Sequence, residues 1–318
     1  MKNPIFFIGD GPLFNHCIEK AKNILGTFFV ITKIENEKNL SINKKYLKKF
    51  SDLNKIKQID TIFSIMNGKI LSKKILDKTQ LAINFHDAPL PSYGGLYSTS
   101  WAIVKGEKKH GCCWHHIVPA IDSGQIICKK NFKINIDDTA HSLDLKALLY
   151  GYKMFDNFIV RNYSKYKKFE FHKRLKLKSY FGKKDFLKFP NLGFLDFSKS
   201  LKKNILIFKS CKVSSAKKNL IFVPKILTNK GVLLVDDLKE VNKKKDYKKN
   251  VNAYNKNDKI KILNYSFFLK IKGKVFKITS SNFRNDTIYI NSKIKYNSIK
   301  IYNNKLCLNN KNLKNLNL

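Results

Sequence analysis

Arginine is scarce in this chain of 318 residues, although the chain is strongly basic. Lys and Arg total 63 against 23 Asp and Glu, and the only arginines are Arg161, Arg174 and Arg284. Proteins that read nucleic-acid bases favour Arg, because its planar guanidinium pairs with phosphates and base edges through two hydrogen bonds. The net charge of +40 therefore favours a solvated lysine surface, with salt-sensitive attraction for RNA, over a dedicated base reader.

Long apolar runs are also absent. No stretch approaches the 18 or so apolar residues that span a membrane, and the opening MKNPIFFIGDGP is too short and too early interrupted to form a signal peptide. With 43% hydrophobic and 13% aromatic residues, the composition is typical of a globular protein with a real core. We expect a cytoplasmic protein that does not associate with membranes.

Several common catalytic and metal-binding motifs are missing. The six Cys form no CxxC pair, and the cluster of Cys and His at 112–116 matches no reliable zinc spacing, so we expect no metal and no disulfide framework. No GxSxG nucleophile motif occurs. Gly9 and Gly11 begin a GxGxxG pattern that Phe14 interrupts, which favours a plain strand-to-helix turn over a nicotinamide site.

Strand and helix patterns alternate in the first half of the chain. Apolar runs at 4–8 and 27–33 flank a helical pattern at 13–25, and strand–helix–strand at this spacing predicts parallel pairing. Further segments continue the pattern: strands at 59–66, 81–85 and 128–136, and helices at 45–55, 70–76, 100–105 and from 138 or 139 to about 163.

The pattern changes after about residue 165. Residues 167–184 have no clear period, and from Leu201 onward short strand-like runs with turn signals predominate: NLIFVPKIL, GVLLV, KIKGKVFKITS, DTIYINS and IKIYNNKL. This part carries 28 Lys and Arg against 6 Asp and Glu over 201–318. We predict a catalytic domain at 1–165, a linker at 166–200 and a basic, β-rich domain resembling a small open barrel at 201–318.

Three polar residues in the stretch 81–129 form a candidate catalytic set. Asn84 and His86 lie two apart on a strand, so both side chains point to one face. An amide can donate to a developing oxyanion, and an imidazole can accept a proton near neutral pH. Asp122, before Ser-Gly, could orient that imidazole. The same residues could equally be ordinary strand-end and turn residues that bond to the backbone.

A set of motifs in this order resembles the folate-dependent formyltransferase family. The motifs are Asn84-Phe85-His86, Pro89-Leu90-Pro91, Tyr93-x-Gly95, Trp101-Ala102-Ile103, Gly106-Glu107 and Ile121-Asp122-Ser123-Gly124, and the resemblance spans about residues 1–200. It implies an α/β fold with a Rossmann-like parallel sheet, and 10-formyltetrahydrofolate as the one-carbon donor. It also implies Asn84, His86 and Asp122 as catalytic residues. Residues implied along the folate pocket are Met66, Asn67, Leu90, Val118 and Ile121.

Within this family the chain is most similar to the formylating domains of nonribosomal peptide synthetases and related standalone enzymes. Asn84-Phe85-His86-Asp87 replaces the Asn-x-His-Pro of the tRNA enzymes, and Gly94 stands where those enzymes usually carry Arg. The resemblance favours a small or carrier-tethered amino compound as the formyl acceptor. The alternatives are initiator methionyl-tRNA, which the basic C-terminal region favours, and a non-catalytic RNA-binding protein on the same fold.

Overall fold

The structure is a computed structural model that separates into two compact units. One comprises residues 1–99, 107–137 and 142–182, and the other comprises 100–106, 138–141 and 183–318. The residues that the structure describes are 3–167, 174–182, 185, 193, 195, 201–211, 224–228, 231–235, 237–241, 265–271, 274–280 and 283–284.

A six-stranded mixed sheet forms the centre of the first unit. Its strands are β1 (Ile5–Gly9), β2 (Phe29–Ile31), β3 (Ile59–Ile65), β4 (Thr79–His86), β6 (Lys109–His116) and β7 (Ile126–Lys133). Their spatial order is β2-β1-β3-β4-β6-β7, in which the first four strands run parallel. A second, two-stranded pairing joins β5 (Gly94–Gly95) to β8 (Tyr180–Phe181).

The prediction of a parallel sheet is wrong for its last two strands. β6 runs antiparallel to both β4 and β7. The β6–β7 connection spans only residues 117–125, which suits a hairpin, whereas a parallel crossover needs a dozen or more residues. The parallel half, with helices between its strands, is the Rossmann-like part that the sequence predicts.

Seven α-helices are present in the described part of the chain. They are α1 (Gly11–Leu25), α2 (Ile34–Glu37), α3 (Lys73–Leu76), α4 (Ser98–Lys105), α5 (Ala140–Met154), α6 (Tyr163–Lys167) and α7 (Leu201–Ser210). The predicted helices at 13–25 and 100–105 are confirmed. The predicted long helix ending near 163 divides into α5, a π-helical turn at Phe155–Ile159, and α6.

The helical stretch predicted at 45–55 is confirmed only in part. Two short 3-10 turns, Lys44–Tyr46 and Phe50–Lys55, occupy this stretch, and Leu47 between them is extended. Leu47 forms a parallel bridge with Val30, and the Lys48 N–H donates to the Val30 carbonyl at 2.9 Å. Pairing with the edge strand β2 therefore interrupts the helix that the lysine-rich pattern favours.

The strands of the first unit bury side chains on both faces. On β1, Phe7 belongs to one apolar cluster while Phe6 and Ile8 belong to the other, as the two-residue period of a strand requires. The first cluster also contains Trp114, which is fully buried and donates from its indole nitrogen to the Gly151 carbonyl at 3.0 Å. A Cβ on Gly151 would lie 2.3 Å from the Phe85 ring. Packing therefore fixes Phe85, the residue between Asn84 and His86.

The second unit contains α7 and two small antiparallel sheets. The sheets have the orders β14-β10-β9 and β11-β13-β12. Their strands are β9 (Lys225–Thr228), β10 (Gly231–Leu234), β11 (Asp237–Val241), β12 (Tyr265–Ile271), β13 (Lys274–Ser280) and β14 (Phe283–Arg284). The expectation of strands from Leu201 onward is wrong for residues 201–210, which form α7, and the DTIYINS and IKIYNNKL runs lie outside the described residues. Within the described ranges, no helix combines the length and apolar character that a membrane crossing requires.

Candidate active site

The candidate catalytic residues meet at the end of β4. The parallel strands β1, β3 and β4 end side by side, which is where open α/β sheets bind ligands. Asn84 and His86 lie at the end of β4, and the loop between β6 and β7 folds back to bring Asp122 beside them. The Nε2 atom of His86 lies 3.9 Å from a carboxylate oxygen of Asp122. The structure therefore brings together the three residues that the sequence singled out.

His86 is held in a defined orientation. Its ring is 7% exposed, and Nε2 lies 3.0 Å from the backbone carbonyl of Tyr93. A carbonyl can only accept, so this nitrogen carries a hydrogen and donates it. In the neutral ring the lone pair is then on Nδ1. His86 consequently offers one nitrogen for orientation and the other for proton transfer.

A second histidine, His115, orients Asn84. Its Nδ1 donates to the His116 carbonyl at 2.8 Å, which leaves Nε2 to accept from the Asn84 side-chain amide at 3.1 Å. This bond uses one N–H of Asn84 and leaves the other for an oxyanion. Burial, together with the nearby His86, lowers the pKa of His115 to about 4, so the imidazole is neutral near pH 7.

Asp122 is positioned by its backbone and by one amide. Its φ of 52° places it in the left-handed region, and its Oδ2 accepts from the Gly95 N–H at 2.7 Å. Gly95 has φ 94°, and a Cβ there would lie 2.2 Å from the Phe181 carbonyl oxygen. Only glycine fits this approach without a shift of the backbone. The Tyr93-x-Gly95 motif therefore serves to place an amide against the carboxylate.

Strained backbone concentrates around this site. The described non-glycine residues with positive φ are Met66, Tyr93, Tyr97 and Asp122. Met66 follows β3 directly, the two tyrosines belong to the loop after β4, and Asp122 faces His86. Such conformations cost on the order of 1 kcal/mol or more each and concentrate at functional sites. The strain thus marks the same region as the side-chain chemistry does.

Residues 174–182, which lie within the predicted linker, bind both loops of the site. Tyr93 donates its N–H to the Ser179 hydroxyl at 2.8 Å, and its ring stacks on Phe181 at a centroid distance of 5.7 Å. The Leu175 N–H donates to the Ser123 carbonyl at 2.7 Å. This short segment therefore fixes the carbonyl that holds His86 and the turn that carries Asp122. The sequence showed no periodicity here from which these contacts could be predicted.

The residues predicted along a folate pocket differ in exposure. Met66 and Ile121 are exposed, by 46% and 42%, Asn67 and Val118 are half-buried, and Leu90 is fully buried. The Asn67 side chain accepts from the Lys69 N–H at 2.9 Å and so closes the turn after β3. Met66 and Ile121 offer apolar surface, whereas the Leu90 side chain is buried and its backbone carbonyl accepts from the Lys129 Nζ at 3.2 Å.

The cysteines do not supply a nucleophile or a metal site in the described part of the chain. Cys17, Cys112, Cys113 and Cys211 are buried, and burial raises the pKa of Cys128 to about 12, so that its thiol stays protonated. Among the described residues no three His, Cys, Asp or Glu side chains are grouped to hold a metal ion. The arrangement is suited to direct transfer between two bound molecules.

The buried, neutral state of His115 predicts a pH dependence of stability. Because its pKa is about 4 when folded and about 6.5 when unfolded, the unfolded chain binds more protons between these values. Stability is therefore lost as the pH falls through this window. His115→Gln keeps an acceptor for Asn84 but cannot titrate. When the pH is lowered from 7 to 5, we expect the Tm of this variant to fall by about 2–5 °C less than the Tm of wild type.

Differential scanning calorimetry at both pH values measures this difference. His141→Gln, which removes an exposed histidine, is the matched control and should track wild type. An equal drop in Tm for wild type and His115→Gln would contradict the neutral, buried assignment.

The chain is similar to formyl transferases in sequence. Residues 20–157 match the family model described as formyl transferase. Methionyl-tRNA formyltransferase of Thermodesulfovibrio yellowstonii is 35% identical over 102 residues, which cover 31% of this chain and 33% of that protein. The enzyme of the same name from Clostridium acetobutylicum is 38% identical over 94 residues, covering 29% of this chain and 30% of that one. The matched stretch thus spans about a third of these relatives.

Solved structures share the fold at low identity. The sugar 3N-formyl transferase WlaRD, solved in the presence of dTDP and 5-N-formyl-THF, has a TM-score of 0.61 at 19% identity and covers 89% of this chain and 99% of its own. An N-formyltransferase from Helicobacter canadensis, in complex with folinic acid and dTDP-3-aminofucose, has a TM-score of 0.60 at 20% identity, with coverages of 88% and 100%.

Proposed function

Residues 20–157 of this chain belong to the formyl transferase family, and from this premise we propose that the protein is a 10-formyltetrahydrofolate-dependent N-formyltransferase. The observation that carries the proposal is the meeting of Asn84, His86 and Asp122 at the end of β4, with one Asn84 N–H and the His86 Nδ1 not engaged by another described hydrogen bond. These are the groups that transfer of an acyl carbon to an amine requires.

A folate-type donor is consistent with the surface around the site. The loops around the site and the segment 174–182 carry four side chains that are each at least 40% exposed: Met66, Leu96, Ile121 and Tyr180. Exposed apolar side chains of this kind suit a flat heterocycle. The bound donor would supply the activated formyl carbonyl. Two solved proteins of this fold were crystallised with 5-N-formyl-THF or folinic acid, which supports the same donor class.

The proposed mechanism assigns one role to each residue. As the acceptor amine bonds to the formyl carbon, the Nδ1 of His86 takes the proton that the amine loses. The free N–H of Asn84 donates to the carbonyl oxygen while it carries negative charge. Asp122 stabilises the charged imidazole. When the carbon–nitrogen bond to the folate breaks, His86 returns the proton to the leaving nitrogen, so the enzyme ends as it began.

The acceptor is proposed to be a small or carrier-tethered amino compound. The Asn-Phe-His-Asp loop and Gly94 support this acceptor, as the sequence resemblance implies. Of two solved structures of the same fold, one is a sugar 3N-formyl transferase and the other is an N-formyltransferase in complex with dTDP-3-aminofucose. Initiator methionyl-tRNA is the second candidate, because the relatives found by sequence are methionyl-tRNA formyltransferases and residues 201–318 are strongly basic. Division into domains at 1–165, 166–200 and 201–318, the open-barrel form of the last, and a cytoplasmic location stay predictions.

A formyl-transfer assay with the full-length chain tests both levels of the proposal. Purified protein is given 10-formyltetrahydrofolate with amino sugars, nucleotide-linked amino sugars, amino acids, aminoacyl thioesters or charged initiator tRNA, and tetrahydrofolate release is followed at physiological salt. We expect saturable transfer to a small or thioester-linked amine, and transfer slowed by about 10²–10⁴-fold in Asp122→Asn. Saturable formylation of the tRNA would replace the preferred acceptor. RNA binding without folate binding, measured by calorimetry, would reject the enzyme assignment.

A further inference from the structure

A second carboxylate lies on the other side of the His86 ring. Oδ1 of Asp87 is 3.8 Å from Nδ1, while Oδ2 of Asp122 is 3.9 Å from Nε2. The imidazole is thus placed between two acidic side chains, one on each nitrogen. In the sequence, Asp87 is the residue that replaces Pro after the Asn-x-His motif.

The position of Asp87 does not depend on its carboxylate. Its backbone carbonyl accepts from the Ser98 hydroxyl at 2.8 Å and from the Nε2 of His110 at 2.9 Å. Ser98 and His110 are both about 1% exposed. Two buried donors therefore hold the main chain, and the carboxylate, 25% exposed, is left to face His86.

The two acids face different nitrogens of the His86 ring, of which only one carries a hydrogen in the neutral form. Nε2 donates to the Tyr93 carbonyl, so the nitrogen with the free lone pair is Nδ1, and Nδ1 faces Asp87. Asp122 faces the nitrogen that already carries a hydrogen, and it also accepts from Gly95. A separation of 3.8 Å is too long for a direct hydrogen bond but short enough for a strong charge interaction.

We infer that Asp87 is a positioning residue of the transfer site, which stabilises the imidazolium that forms when Nδ1 of His86 takes the proton of the acceptor amine. The inference rests on the proposed function for the source of the proton. In this step an N–H bond of the attacking amine breaks and the Nδ1–H bond forms, while Asp87 stays ionised. A chain with Pro at this position could not supply the same charge.

Among the described residues, three other titratable groups lie near His86: Asp122, His115 and His110. Asp122 lies on the β6–β7 loop, His115 on β6 has its ring centroid 6.3 Å away, and His110 on β6 interacts with it electrostatically. Burial lowers the pKa of both His115 and His110, so both stay neutral near pH 7. The two carboxylates are then the charges that act on His86 when it is protonated.

Substitution of Asp87 by Asn tests the inference through the protonation of His86. NMR of ¹³C-histidine-labelled full-length protein follows the ring, whose signal is identified by its loss in His86→Gln. Removing an anion next to Nδ1 weakens proton binding, so we expect the titration midpoint to move down by roughly one pH unit in Asp87→Asn. Asp77→Asn removes an exposed acid paired with Lys73 and should leave the midpoint unchanged.

The pH profile of kcat/KM gives the second readout. Since His86 must be unprotonated to act as the base, the acid limb of the profile should move to lower pH by the same amount in Asp87→Asn. Asp87→Glu keeps the charge and should restore the wild-type limb. An unchanged midpoint and an unchanged limb in Asp87→Asn would overturn the inference.

If wild type transfers no formyl group, the proposed function fails while the NMR result still decides whether Asp87 acts on His86. Should Asp87→Asn fold poorly, Asp87→Ser is titrated in its place.

Discussion

Asp122→Asn is expected to slow formyl transfer by about 10²–10⁴-fold while the protein stays folded. The change removes the negative charge 3.9 Å from Nε2 of His86, and with it the stabilisation of the imidazolium. Two structural duties of Asp122 survive. Asn tolerates the left-handed conformation observed at φ 52°, and its amide oxygen can still accept from Gly95. The loss should therefore be one of kcat, with KM little changed.

The matched variant is Asp122→Ala, which removes the charge and also leaves the Gly95 N–H without its partner. Ala is also less tolerant of positive φ, so this variant should lose stability as well as activity. Rapid-quench measurement of a single turnover, together with thermal unfolding, separates the two effects. Near-normal single-turnover rates in Asp122→Asn would remove Asp122 from the catalytic set, and a large drop in its Tm would assign it a structural role.

Local pattern was enough to predict the parallel half of the sheet and the Asn84–His86 pair. Short apolar runs broken by helices predict β1, β3 and β4, and the two-residue strand period puts the two polar side chains on one face. Nothing in that pattern predicts the direction of β6, because a strand has the same periodicity in either direction. The antiparallel register that sets His115 opposite Asn84 became visible only in the structure.

The meeting of Asp122 with His86 depends on contacts between residues distant in sequence. The β6–β7 loop folds back, Gly95 donates to the carboxylate, and residues 174–182 tie this loop to the one after β4. Such bonds join residues that are 27 or more positions apart, so no local window contains both partners. The family resemblance predicted the three residues as a set, whereas the contacts of Asp87 and His115 with them could be recognised only from distances between atoms in the structure.

Replacing His86 by Gln is expected to lower transfer by about 10²–10⁴-fold, the range for loss of a general base. The Gln amide can still donate to the Tyr93 carbonyl, the bond that His86 makes at 3.0 Å, but an amide nitrogen cannot take a proton near neutral pH. Binding of a folate analogue, measured by calorimetry, should stay close to wild type because the donor contacts are left in place.

Chemical rescue adds an independent test of the same role. His86→Ala opens a space next to Asn84 and Asp87, and added imidazole can enter it and act as the base. We expect saturable, partial recovery of transfer in His86→Ala and none in Asp122→Asn, where the ring is present and the missing element is a charge. If the His86 ring served only packing, added imidazole would restore the stability of His86→Ala but not its rate of formyl transfer. That outcome would reject His86 as the group that moves the proton.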